Sequence, residues 1–125
     1  MKKILIVEDD NRIATALQIR LRAAGYEVMR AANGFDGLRL VVDKMPHLVI
    51  MDIWMPVGIG FSVAQRLQGL GLKGIPIIFI TASKIEGLRE EAEKLGAVAF
   101  FEKPYDPKAL LGAVANALEN AECVA

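Results

Sequence analysis

The sequence predicts an α/β domain built on a parallel sheet with helices on both faces, and three observations carry that reading. Four short apolar runs, Ile4-Leu5-Ile6-Val7, Leu48-Val49-Ile50-Met51, Ile77-Ile78-Phe79-Ile80 and Val98-Ala99-Phe100-Phe101, are continuous rather than alternating. Strands covered on both faces read this way. Between the runs lie segments with helical spacing, so strands and helices alternate along the chain. Each run also ends on a charged or hydroxyl side chain: Glu8-Asp9-Asp10, Asp52, Thr81 and, one residue further on, Lys103. Parallel strands point the same way, so these side chains gather along one edge of the sheet, where ligands of open α/β sheets bind.

The first strand ends at Val7. A helix over 11–24 carries Ile13, Leu17, Leu21 and Ala24 at three- and four-residue steps and stops at Gly25. Asp10, immediately before it, reads as its cap. A second strand spans about Glu27 to Ala31 and breaks at Asn33-Gly34. Helices are expected near 35–44, 61–69, 84–95 and 107–120, with Gly96 ending the fourth. Asp106 and Pro107 open the last one as cap and first-turn residue. Five β-α units with no internal repeat and no linker make residues 1–125 a single domain. They indicate a flavodoxin-like, doubly wound (βα)5 fold whose five-stranded parallel sheet has the order 2-1-3-4-5 and a switch point between strands one and three. Those two strands are the ones that end in Glu8-Asp9 and Asp52.

Lys plus Arg and Asp plus Glu both total 15, so the formal net charge is zero. No basic excess points to nucleic acid, and no polybasic run points to a membrane surface. Hydrophobic residues make up 54% of the chain, yet no apolar run approaches the ~18 residues of a membrane span. Met1-Lys2-Lys3-Ile4 leads straight into the first strand without a signal-peptide layout, so a cytoplasmic location is expected. Cys123 has no second cysteine to pair with and reads as an incidental thiol.

Glu8, Asp9 and Asp52, brought close together, resist joint ionisation unless a cation shares their charge. A hard ion such as Mg²⁺ resolves this, since it takes oxygen ligands, keeps several waters and commonly uses one or two carboxylates. Asp9 and Asp52 lie on separate strands and read as ligands, with Glu8 acting through a water and Asp10 as a helix cap. Alone, a threonine after a strand reads as a turn former and a lysine as a solvated charge. Arriving together at the edge that holds the acids, Thr81 and Lys103 can instead contact phosphoryl oxygens. Such a set suits phosphoryl transfer, and Asp52 is the carboxylate best placed to become an acyl phosphate.

At these residues the chain resembles the receiver domains of two-component response regulators over essentially its whole length. The acidic pair of that family matches Glu8-Asp9, and its phosphoacceptor motif matches Asp52-Ile53-Trp54-Met55-Pro56 with Gly60. Its Thr-Ala and Lys-Pro pairs match Thr81-Ala82 and Lys103-Pro104. The resemblance implies that Asp52 accepts a phosphoryl group from a sensor histidine kinase or histidine phosphotransfer protein. Asp9, Asp52 and the main-chain carbonyl of Trp54 would hold Mg²⁺, and the Lys103–Pro104 bond would be cis. On phosphorylation the Thr81 hydroxyl would move to the phosphoryl group and Phe100 would turn inward, biasing the surface of the fourth helix, fifth strand and fifth helix between two states. Phe101 faces the other side of the strand and reads as core. Partner docking would use Ile13, Ala16, Pro104 and Tyr105, with Ile13 divided between core and contact and Tyr105 exposed. The resemblance further implies a switch that assists its own phosphorylation and dephosphorylation without being a turnover enzyme. It would act on a downstream protein or a fused output domain and bind no nucleic acid itself.

Three departures from the family pattern stand out. Ile59 takes a place where the family often has an acid or Asn, within the unusually apolar stretch from Ile53 to Phe61. Trp54 and Ser83 occupy positions that by resemblance tune acyl-phosphate hydrolysis; bulky Trp54 is expected to slow decay relative to Trp54→Asn. Ala97-Val98-Ala99 lacks the acids typical of receivers that dimerise through the fourth and fifth helices. His47 reads as structural or surface and not as a rival phosphoacceptor, and the glutamates at 86, 90, 91 and 93 read as a solvated face. A dinucleotide-binding domain would need glycines where Glu8-Asp9-Asp10-Asn11 stands, no Gly-Lys-Ser/Thr of a P-loop occurs, and Trp54 replaces the second acid of a haloacid-type phosphatase. A pseudo-receiver, a binding module that never takes phosphate, is the closest alternative, but it normally lacks one of the acid, Thr or Lys positions.

Overall fold

The computed structural model describes residues 1–53, 65, 66, 69, 74–82 and 86–124, the last five by main chain only. Strands β1 (Lys3–Val7), β2 (Glu27–Ala31), β3 (Leu48–Asp52), β4 (Ile77–Thr81) and β5 (Ala99–Glu102) form one parallel sheet. Its order is β2-β1-β3-β4-β5, as predicted. The helices whose bounds fall within the described residues are α1 (Asn11–Ala23), α2 (Gly34–Lys44), α3 (Leu88–Lys94) and α4 (Pro107–Val124). The helix expected near 61–69 falls almost wholly outside the described residues.

The continuous apolar runs follow from two-sided burial. Leu5, Val7, Val49, Met51 and Phe79 pack in one layer with Val41 of α2 and Ala92 of α3. Ile4, Ile6, Leu48, Ile50, Ile78 and Ile80 pack in the other with Leu17 and Leu21 of α1 and Leu110 and Val114 of α4. Successive side chains of a strand point to opposite faces, so past Lys3 at the start of β1 no position in the three central strands is polar until the strand ends.

Local signals set the helix starts. Asp10 Oδ1 accepts from the Arg12 and Ile13 amides (2.8 and 3.3 Å), Asn33 Oδ1 from the Asp36 amide (2.8 Å), and Asp106 Oδ1 from the Lys108 amide (3.0 Å). These caps satisfy first-turn N–H groups that have no helical partner. On α1 the buried stripe is Ala14, Leu17 and Leu21, with Ile13 half-buried. Ala24, expected on that face, is the exposed C-cap, because the helix has ended before its side chain can reach the sheet. The helix α3 is shorter than the expected 84–95: Gly87, at φ +89°, holds a left-handed turn at its N-terminus that a helix cannot run through. Helix α2 lies close against β1, since a Cβ on Gly37 would come within 2.8 Å of Val7 Cγ2.

Candidate functional site

The site is built at the C-terminal ends of β1, β3, β4 and β5. One residue past β1, the Glu8 amide donates to the Ala31 carbonyl (3.0 Å), so the ladder carries Glu8 into the sheet, where its side chain is wholly buried. Asp52 is the last residue of β3 and is 5% exposed. Thr81 ends β4, also buried, and its carbonyl accepts from the Lys103 amide at 2.7 Å. That bond brings the chain after β5 over the crevice. Lys103 Nζ then donates to Glu8 Oε1 at 2.7 Å and to Asp52 Oδ2 at 3.0 Å. Asp9 is exposed. One carboxylate oxygen from each of Glu8, Asp9 and Asp52 lies within 4.8 Å of the others.

Burial pushes the Glu8 carboxyl up from 4.5 to about 7; the Lys103 hydrogen bond resists this and the neighbouring Asp52 charge adds to it. Burial alone would lower the Lys103 ammonium, but its hydrogen bonds to Glu8 and Asp52 outweigh that and raise it. The donor set is therefore all oxygen and crowded with negative charge that one ammonium only partly offsets. Those features fit a hard divalent cation such as Mg²⁺.

Beside this polar floor, Ile13, Ala16, Leu17, Arg20, Lys103, Pro104 and Tyr105 line a cavity of about 420 Å³. All four residues expected to dock a partner are among them. Tyr105 departs from expectation in being half-buried rather than exposed: its ring stands 6.1 Å from that of Phe101, and burial raises its hydroxyl pKa. The Lys103–Pro104 bond is cis. Phe100, on the other side of β5, is half-buried in the layer of α2 and α3, with the Arg89 guanidinium 4.9 Å above its ring. His47 is exposed, and its Nδ1 accepts from the Lys3 amide. Glu86, Glu90, Glu91 and Glu93 are exposed as expected. Trp54, Met55, Pro56, Ile59, Gly60 and Ser83 lie outside the described residues, as does the side chain of Cys123.

Sequence reasoning passed over Arg30. From β2 its Nε and Nη2 donate to the Glu8 carbonyl (3.2 and 2.9 Å) and Nη2 also to the Asp9 carbonyl (3.3 Å). The available signal was a lone arginine one residue from the end of the strand beside β1.

A doubly wound sheet with three carboxylates at its switch point, and a lysine from just past β5 reaching two of them, defines a receiver-type α/β domain. The chain belongs to the response regulator receiver domain family, whose model matches residues 4–115. It is 38% identical over 117 residues to the transcriptional regulatory protein DltR of Streptococcus agalactiae, covering 90% of this chain and 50% of that protein. With the alkaline phosphatase synthesis transcriptional regulatory protein PhoP of Bacillus subtilis it shares 32% over 124 residues, covering 99% and 51%. The chain thus spans about half the length of the curated relatives it matches. Among solved structures it is similar to a CheY-like receiver domain protein from Methanospirillum hungatei, with a TM-score of 0.94 and 29% identity over 100% of this chain and 99% of that one. A putative response regulator from Chloroflexus aurantiacus gives 0.87 and 34%, covering 94% and 98%. No helix among the described residues is long and apolar enough to cross a membrane.

Proposed function

We propose that this chain is a Mg²⁺-dependent phosphoacceptor switch of a two-component system, in which Asp52 takes a phosphoryl group from a histidine kinase or histidine phosphotransfer protein. The observation that carries the reading is Lys103 Nζ held on Asp52 Oδ2 and Glu8 Oε1 at once: an ammonium is already stationed where phosphoryl oxygens would arrive. Asp9, Asp52 and the Trp54 main-chain carbonyl would hold Mg²⁺, with Glu8 acting through a water. The ion, when bound, neutralises phosphoryl charge.

Asp52 Oδ attacks phosphorus in line; the new O–P bond forms as the donor's N–P bond breaks, and the leaving imidazole nitrogen keeps the electron pair and takes a proton from water. Lys103 Nζ stabilises one phosphoryl oxygen and the Thr81 hydroxyl another. Drawing Thr81 toward the phosphoryl group opens space for Phe100 to leave its position under Arg89 and turn inward. The α3, β5 and α4 surface then changes what it binds. The donor docks over Ile13, Ala16, Pro104 and Tyr105. The domain assists both gain and loss of its phosphoryl group but turns over no substrate of its own. Because the matched relatives are named as transcriptional regulators, its output is assigned to a fused domain or a separate downstream protein.

Incubation with acetyl phosphate and Mg²⁺ followed by intact mass tests the reading. A single phosphoryl adduct is expected, absent in Asp52→Asn and absent with chelator. No adduct on the folded wild type would instead favour a phosphorylation-independent binding module.

A further inference from the structure

We propose that Arg30 is a positioning residue for the acidic site, clamping the turn between β1 and α1 by its main chain so that Asp9 stays set for a divalent cation. The inference rests on the cation reading above and extends it to a residue outside the ligand set.

The three carboxylates are held unequally. Both oxygens of Glu8 are hydrogen-bonded, Oε1 by Lys103 and Oε2 by the Asp10 amide at 3.2 Å. Asp52 is anchored in β3 and bonded by Lys103. The Asp9 side chain is exposed and, among the described residues, accepts no hydrogen bond. Its direction therefore depends on the backbone that carries it. Arg30, opposite Ile6 in the β1–β2 register, reaches that backbone from outside and binds the carbonyls on both sides of the Glu8–Asp9 step. The contact suits arginine rather than lysine. A planar fork can place Nε and Nη2 on one carbonyl and share Nη2 with the next, which a single ammonium cannot do. Among the described residues Arg30 pairs with no carboxylate, so it leaves the acids open to a cation instead of competing for them.

Charge and clamp make opposite predictions. By Coulomb attraction alone, removing a cation beside three carboxylates should tighten divalent binding. A lost clamp should weaken it, as losing an outer-shell partner does, by about tenfold. Calorimetric Mg²⁺ titration of the full chain is therefore expected to give weaker binding for both Arg30→Met and Arg30→Lys, although the second keeps the charge. In the metal-free protein, amide hydrogen exchange at residues 8–10 should quicken in both variants while β4 amides keep their protection. Arg30→Met binding Mg²⁺ as tightly as wild type or tighter overturns the clamp, and so does unchanged exchange at 8–10. If the wild type binds no Mg²⁺, the cation reading fails by itself and the exchange arm still decides the clamp.

Discussion

Lys103 stands between two regions built on opposite terms. On one side its ammonium sits on the buried carboxylates Glu8 and Asp52, where each group is held by the charge of the next. On the other, its stem joins Ile13, Ala16, Leu17, Arg20, Pro104 and Tyr105 around an open, largely apolar cavity. In the first region a removed side chain leaves a buried charge without its partner, which is costly. In the second it leaves a smaller contact surface. On the function proposed above, the difference teaches that chemistry and partner choice would be separable, although the two regions touch at one residue.

The sharpest way to break this separation is Lys103→Met. Uptake from acetyl phosphate should fall by about 10²–10³-fold, the usual effect of removing one preorganised charge-stabilising group. An unchanged rate would place the chemistry elsewhere. Stability should fall as well, limited by Glu8 taking up a proton in place of the lost ammonium.

Next comes the pH response of Glu8. Its carboxyl titrates at about 7 in the folded chain against 4.5 as the ordinary value, so between those values the native state binds more protons than the unfolded one. Stability from this group is complete below pH 4.5 and is lost as pH rises through 7. Without metal, Glu8→Gln should therefore gain on wild type by about 2–3 kcal/mol across that window, read by urea unfolding at each pH. A constant difference between the two proteins would show that Glu8 does not carry the buried charge.

The smallest expected effect lies in the groove. Tyr105→Ala should slow transfer from a cognate phosphohistidine donor by about tenfold, the scale of one interface aromatic, while uptake from acetyl phosphate stays within about twofold. Equal losses with both donors would merge the two regions into one.

Much of this was legible in the chain because it is local. Two-sided burial leaves continuous apolar runs, and the polar residue that stops each run marks the sheet edge. Asp10 and Asp106 announce helix starts within three residues, while Asn33, read only as the break after the second strand, also caps α2. The misreadings concern chain geometry and contacts that residue spacing does not show. Ala24 fits the helical spacing but falls past the end of α1. Gly87 shortens α3 through a backbone angle that composition does not reveal. Tyr105, read as exposed, is half-buried with its ring 6.1 Å from that of Phe101, a contact decided by the path of the chain after β5. Arg30 reads as an ordinary strand residue until the β1–β2 register carries it to the Glu8 and Asp9 carbonyls.

By itself the sequence determined the strand and helix alternation, the sheet order and the edge where Glu8, Asp9, Asp52, Thr81 and Lys103 would meet. Periodicity and capping are written in neighbouring residues, and parallel topology turns them into a shared rim. Only the tertiary structure decided which of these groups touch. The Lys103–Glu8 pair joins residues 95 apart in the chain and the Lys103–Asp52 pair residues 51 apart. Their burial, and with it the raised Glu8 pKa, depends on how two helical layers close over the sheet, and no local pattern encodes that.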